Sequence, residues 1–316
     1  YALGRQFYAY RPPLQSRMSR PDYEAIARQL DDTGEFKVLR RFVPRASYGE
    51  ADGSEETRTA LFVDVETTGM HWMVDRIIEF AGVPFTFGKD SGRIVSVGRP
   101  FVSLEDPGRP VPPEIVRLTR ITDEMVAGAH IDDTQLKVLA DQTQLVVAHN
   151  ARFDRPFVEA RFPFFEDKHW ACSINDVPWD AHGLGSVKLG WLLMEHAGLY
   201  FRAHRAEDDC LAAIHILATP FADDGSLPMR HLLETSRRHT VLVRAVNAPF
   251  DAKDLLKARN YHWDNGTPER PKAWQKEIVE ESQAAELAWL RDTIYKGKSA
   301  PETQKLTART RYSARR

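Results

Sequence analysis

Cysteine is nearly absent: the 316 residues contain two, Cys172 and Cys210. Two thiols build neither a disulfide framework nor a four-cysteine zinc site, so both read as small buried hydrophobes. Long apolar runs are missing as well. No stretch approaches the roughly 18 to 20 apolar residues of a membrane span, and the opening YALGRQFYAYRPPLQ lacks the apolar core of a signal peptide. The expected location is the cytoplasm, with no membrane partner. Nor is there an excess of one charge: 43 Lys and Arg stand against 45 Asp and Glu, a net charge of −2. Bulk electrostatics therefore gives no indication of a nucleic-acid ligand, and any such partner has to be argued from a site. What is present, 42% hydrophobic and 28% charged residues with 18 Gly and 19 Pro, excludes collagenous and wholly disordered chains. The length implies about two domains, or one with appendages.

Residues 1–58 read as an N-terminal helix and strand appendage ending in an acidic linker. Pro21-Asp22 opens a helical run over Tyr23 to Leu30, with proline and early acids matching N-terminal helix chemistry. A strand is expected over Phe36 to Val43, and the polar, Gly-containing stretch Gly49 to Thr57 reads as linker. From Thr59 short apolar runs alternate with longer helical patterns, as in an α/β sheet. Strands are expected at Ala60–Val63, Ile77–Phe87, Ile94–Val102 and Leu145–Ala148, and helices near 132–141, 152–161, 188–196 and 206–217. This domain spans 59–222. A smaller α+β module follows at 226–295, with Asp264-Asn265-Gly266 as a turn and a helix from Glu277 to Tyr295. Its Tyr261, Trp263 and Trp274, interleaved with Lys257, Arg259, Lys272 and Lys276, are either hairpin core or a single-strand binding face. Residues 296–316, rich in Lys and Arg, are expected to form a basic, disordered tail.

Three clusters carry chemistry. Asp64-Val65-Glu66-Thr67-Thr68-Gly69 follows the first buried strand, where alternation points Asp64 and Glu66 to one face and Val65 to the other. Two carboxylates forced together at a strand end repel unless a cation neutralises them, and hard oxygen ligands suit magnesium or manganese. His149-Asn150-Ala151-Arg152-Phe153-Asp154 lies where another buried strand hands over to a helix, the place where open α/β sheets put their sites. His204-Arg205-Ala206-Glu207-Asp208-Asp209 opens a late helix and puts His204 and Asp209 within reach of one pocket. Read singly, these are a solvated strand end, a charge at a helix start and a cap.

In order, Asp-x-Glu, HNxxFD and Hx4D resemble the DEDD family of 3′-to-5′ exonucleases in its histidine-containing branch, which includes the proofreading epsilon subunits of bacterial DNA polymerase III. Arg109 to Glu114, Leu118 to Val126 and Ser186 to Leu189 share the resemblance, which covers about residues 59–218. One departure is Arg120, where the family usually carries glycine.

The resemblance implies a ribonuclease H-like α/β fold, a mixed central sheet flanked by helices, with small N- and C-terminal appendages. It implies that Asp64, Glu66, Asp154 and Asp209 hold two divalent cations, Mg2+ or Mn2+, about 3.5 to 4 Å apart across the scissile phosphate, and that His204 is the general base. It further implies that Thr67 and Glu66 meet the 3′ hydroxyl, that Thr68 belongs to the same binding segment, and that Met70 or His71 lies against the terminal base. Asn150 would steady the site and Arg152 would contact phosphate. The expected activity is release of nucleoside 5′-monophosphates from single-stranded 3′ ends, DNA before RNA, with a DNA polymerase as a further partner. An RNA exonuclease and an inert nucleic-acid-binding or polymerase-adaptor module remain alternatives. A hydride-transfer enzyme is disfavoured, since no GxGxxG follows the first strand.

Overall fold

A computed structural model describes residues 22–50, 53–266 and 270–315. Pro21, Ala51, Asp52 and Arg316, on which parts of the expected helix start, linker and tail fall, lie outside them, as do residues 1–20. The described residues form two compact units, divided between Arg40 and Arg41. In the first, α1 (Tyr23–Asp32) starts at Asp22, whose carboxylate accepts the Ala25 N–H at 3.1 Å. No residue of α1 is buried. The strand expected over residues 36–43 is reduced to Arg40–Arg41. Phe36 and Val43 are largely exposed, so an alternating apolar face is missing there.

The second unit begins earlier than the expected boundary near residue 58. Phe42 packs into the main core, and the Tyr48 hydroxyl meets His215 Nδ1 at 3.0 Å. The stretch read as solvated linker thus starts inside the domain. Its central sheet is built on β1 (Thr57–Thr67) and β2 (Ile77–Gly88), which pair antiparallel along their length. The expected third strand is split into β3 (Ile94–Val97) and β4 (Phe101–Leu104), both antiparallel to β2. On the other side, β5 (Leu145–Ala148) runs parallel to β1, and β6 (Trp170–Cys172) parallel to β5. The sheet is therefore mixed, as expected.

Alternation along β1 sorts its side chains between two cores. Leu61, Val63 and Val65 face a cluster that includes residues of α4 (Asp133–Asp141) and α5 (Ala151–Arg161). Ala60 and Phe62 face the opposite cluster, formed with α6 (Leu189–Ala197), α7 (Ala206–Ala218) and α8 (Pro228–Arg237). Asp64 and Glu66 continue the second row past the end of the apolar core.

Between the sheet and α4, α2 (Pro113–Thr119) and α3 (Asp123–Val126) are joined through Arg120, which adopts φ 64°, the left-handed conformation that glycine takes at least cost. This is the physical content of the Gly-to-Arg departure.

Residues 240–306 form an antiparallel sheet in the order β8 (His262–Asp264), β9 (Ala273–Val279), β7 (Thr240–Val246), β10 (Glu302–Leu306). The helix expected from Glu277 starts later, as α9 (Gln283–Trp289), because residues 277–279 pair with β7 and lengthen β9. Tyr261 is core, whereas Trp263 is half exposed and lines, with Phe250 and Trp274, a cavity of about 520 Å³.

The disordered tail expected at 296–316 is corrected. Residues 302–306 form β10, and Arg311, Tyr312 and Ser313 are buried against the first sheet's helices. The cause is an unusual demand from α5. Arg155 is fully buried, pairs with Glu159 at 2.6 Å, and has further donors to satisfy. The carbonyls of Ala308, Arg309 and Arg311 accept them. Tyr312 donates to Asp176 Oδ1 at 2.7 Å and Ser313 to Glu159 Oε2 at 2.6 Å. Arg315 also meets the buried Glu159, at 3.1 Å. Among the described residues no helix is long and apolar enough to cross a membrane.

Two outcomes are expected. A chain ending at Leu306 strands a buried guanidinium, so its thermal midpoint falls well below that of the full chain, by about 3 kcal/mol of stability or more; an unchanged midpoint would mean the tail does not brace α5. Arg120→Gly removes the left-handed strain of a side-chain-bearing residue and stabilises by about 1 kcal/mol, read from urea unfolding.

Candidate active site

Four chain segments converge on one small cavity of about 200 Å³ at the end of β1. Its walls are Asp64, Val65, Glu66, His149, Asn150, Phe153, Asp154, Leu189, His204 and Asp209. Each arrives for a local reason. Asp64 and Glu66 sit on the polar continuation of β1. Asp154 lies in the first turn of α5, which starts at Asn150, a residue held at φ 79°, where asparagine is among the better tolerated types. Asp209 lies in the first turn of α7, and its Oδ2 accepts the backbone N–H groups of His204 at 2.8 Å and Arg205 at 3.2 Å. The turn before α7 is sharp, with His204 at φ 71°.

Asp154 is 2% exposed, and its Oδ1 accepts the Val65 N–H at 3.2 Å, which ties the start of α5 to β1. Asp64, Glu66 and Asp209 bring one carboxylate oxygen each to within 4.8 Å of one another. Among the described residues no lysine or arginine lines the cavity. Burial, then the neighbouring Asp154, Asp209, Glu66 and Glu79, push the Asp64 carboxyl well above the usual carboxylate range. Glu66 is pushed up to about 8, by burial first and then by Asp209 and Glu79. Burial also raises Asp154 and Asp209, against backbone donors that pull each down. Such a set is electrostatically unfinished. Convergent hard oxygens with no basic partner fit a divalent cation of the Mg2+ or Mn2+ kind, which would let all of them ionise.

Of the residues expected from sequence, Asp64, Glu66, Asn150, Asp154, His204 and Asp209 line this cavity. Thr67, Thr68, Met70, His71 and Arg152 do not. Thr67 and Thr68 are buried in the turn after β1; Thr67 Oγ1 donates to the Gly69 carbonyl at 2.6 Å, and Arg109 donates to Thr68 Oγ1 at 2.6 Å. Met70 is 72% exposed beside the exposed His71. Arg152 turns towards the C-terminal module, 3.7 Å from Glu277 and over the Tyr312 ring.

Two supporting residues escaped the sequence reading. Glu79 lies on β2 directly opposite Glu66, is 1% exposed, and accepts Arg205 Nη2 at 2.6 Å and the Ala206 N–H at 3.0 Å. It therefore anchors the start of α7, and with it Asp209. The one available signal was an acid inside the apolar run Ile77-Ile78-Glu79-Phe80. His149 is lowered to about 4 by burial, hence neutral; it meets Ser173 Oγ at 2.7 Å and the Val187 carbonyl at 2.9 Å, joining β5 to the segment before α6.

The model of the exonuclease family matches residues 61–217, the stretch that holds every residue lining the cavity. A DNA polymerase III PolC-type of Listeria innocua is 36% identical over 130 residues, 40% of this chain and 8% of that protein. The DNA polymerase III subunit epsilon of Treponema pallidum is 29% identical over 170 residues, 50% of this chain and 74% of that one. The chain thus spans 8 to 12% of the length of the PolC-type relatives. Among solved structures, a zinc-bound E. coli ExoI–ssDNA complex is 16% identical with a TM-score of 0.45, over 70% of this chain and 63% of that chain.

The carboxylate set predicts a pH dependence. Between about pH 5 and 8 native Glu66 keeps a proton that the unfolded chain has released, so in EDTA stability falls as pH rises through this window. Glu66→Gln removes that component. Urea midpoints of wild type and variant should converge at pH 5 and separate by pH 8, with the variant the more stable; parallel curves would contradict the assigned cause.

Proposed function

Residues 61–217 belong to the exonuclease family, and on that premise we propose that the protein is a metal-dependent 3′-to-5′ exonuclease that releases nucleoside 5′-monophosphates from DNA, single strands preferred. The observation that carries the reading is the convergence of Asp64, Glu66, Asp154, Asp209 and His204, spread over 146 positions of sequence, on one cavity that, among the described residues, no lysine or arginine lines. The likeness to segments of DNA polymerase III favours DNA over RNA, and makes a DNA polymerase the partner to test first.

In this proposal Asp64, Glu66, Asp154 and Asp209 hold two divalent cations. Bound there, such ions neutralise charge on the phosphate and acidify water. The chain's own residues do the rest. His204 is exposed at the cavity rim and able to exchange protons with solvent; its imidazole accepts a proton from the attacking water. Asp209 Oδ2, by holding the His204 and Arg205 N–H groups, fixes the backbone that carries this imidazole. Glu79 and Arg205 keep α7 seated so that Asp209 stays in the cup. Asn150 at the cavity, the backbone of Thr67 with Thr68 behind it, and the exposed Met70 and His71 are the residues proposed to meet the terminal nucleotide. An apolar or imidazole contact with a base face tolerates any sequence.

The test is digestion of 5′-labelled DNA and RNA strands with Mg2+, Mn2+ or EDTA. A ladder shortening from the 3′ end with either metal, absent in EDTA and stronger on DNA, is expected. Asp64→Ala and His204→Ala should each lower the rate roughly 10²-fold or more. Undiminished digestion by Asp64→Ala overturns the proposal.

A further inference from the structure

At the far end of α7 from the carboxylate cup lies a second group of ligating side chains. Asp209 is in the first turn of α7, and the helix runs on for about 14 Å before it ends at Ala218. Beyond that end, the loop 219–227 comes up against the 3-10 turn Trp179–His182 and the first turn of α8. His182, Asp224 and His231 each bring one ligand atom to within 4.8 Å of the others. They come from three different segments, so nothing local in the sequence requires them to meet.

The histidines are held like ligands rather than left to rotate. The His182 ring stacks flat on Phe221, with centroids 3.6 Å apart and planes 6° apart. Its Nδ1 sits 2.9 Å from both carboxylate oxygens of Asp223. A carboxylate on Nδ1 keeps the proton on that nitrogen and leaves Nε2 with a bare lone pair, the arrangement in which metal-binding histidines are oriented from behind. The His182 side chain is 9% exposed, so ordering it costs little on binding. The His231 ring stands 5.4 Å from it at 60°. Ser226 braces the other two members: its Oγ meets His231 Nε2 at 2.8 Å, and its N–H donates to Asp224 Oδ1 at 2.8 Å.

We infer that His182, Asp224 and His231 form a binding site for one transition-metal dication of the zinc class, oriented by Asp223 and distinct from the carboxylate cup. Two imidazoles and one carboxylate select a borderline cation such as Zn2+ over Mg2+ or Ca2+, which favour all-oxygen shells. A water fills the fourth position. Bound metal joins the end of α7 to the start of α8 and to the 179–182 turn, so it acts as a structural tie on the helix whose other end carries Asp209. The inference stands apart from the exonuclease reading, since none of its residues lines that cavity.

The test uses the full chain without an affinity tag, in wild type and in Asp64→Asn, which weakens the carboxylate cup. Zn2+ is titrated against a chromophoric chelator, and thermal midpoints are recorded with and without Zn2+. Both proteins should bind one tight equivalent and gain several degrees. His231→Gln and, at the more exposed position, Asp224→Asn should each weaken that equivalent at least tenfold and abolish the gain, while circular dichroism shows both folded. Tight binding that persists in both variants, or that disappears in Asp64→Asn, overturns the inference. Loss of Zn2+ binding in His231→Gln with an intact exonuclease ladder separates this site from the catalytic proposal.

Discussion

Mutual repulsion among acids gathered at one end of a sheet is the constraint around which this domain is organised. Asp64, Glu66, Asp154 and Asp209 converge with no lysine or arginine among the described residues lining their cavity, so burial and like charge hold their carboxyls neutral at pH values where exposed carboxylates ionise. What keeps them together is not attraction between them. It is a frame of backbone and side-chain hydrogen bonds: the Val65 N–H on Asp154, the His204 and Arg205 N–H groups on Asp209, and the Arg205–Glu79 pair that seats α7. The frame takes up Asp154 Oδ1 and Asp209 Oδ2 and, among the described residues, brings no lysine or arginine into the cavity. Stability is given up locally so that a cation can complete the set.

The C-terminal segment makes the opposite use of charge. Arg155, sealed inside α5, has more donors than Glu159 can satisfy, and the carbonyls of residues 308–311 complete its shell while Tyr312 and Ser313 reach Asp176 and Glu159. Because α5 also carries Asp154, the clasp stiffens one wall of the cup from behind. A chain end that composition marks as solvated is therefore part of the domain's frame.

How much of this was legible in the sequence follows from the range of each signal. The alternation over Ala60–Glu66 foretold both the strand and the shared face of Asp64 and Glu66, since the period of two is local. The helices at 133–141, 151–161 and 206–218 were likewise visible as apolar periodicity. The strand at 240–246 was not, because Arg244 interrupts its apolar run, and its burial becomes tolerable only through the distant Glu302, Asp264 and the Pro271 carbonyl. Glu79 was missed because its role consists of a partner 126 positions away. The tail was misread because lysine and arginine content describes solvation, whereas Arg311 meets Glu277 and Arg315 the buried Glu159 only in three dimensions.

By itself the sequence determined the period of each strand and helix, the order of the acidic motifs and the residue types able to ligate a cation, because these depend on neighbours within one turn or one pleat. Only the tertiary structure decided that the motifs share a cavity, that among the described residues no lysine or arginine fills it, and that residues 308–313 brace α5. Those outcomes depend on which distant groups meet once the sheet closes, and hydrogen-bond satisfaction in a buried, low-dielectric interior is a property of the whole fold rather than of any segment.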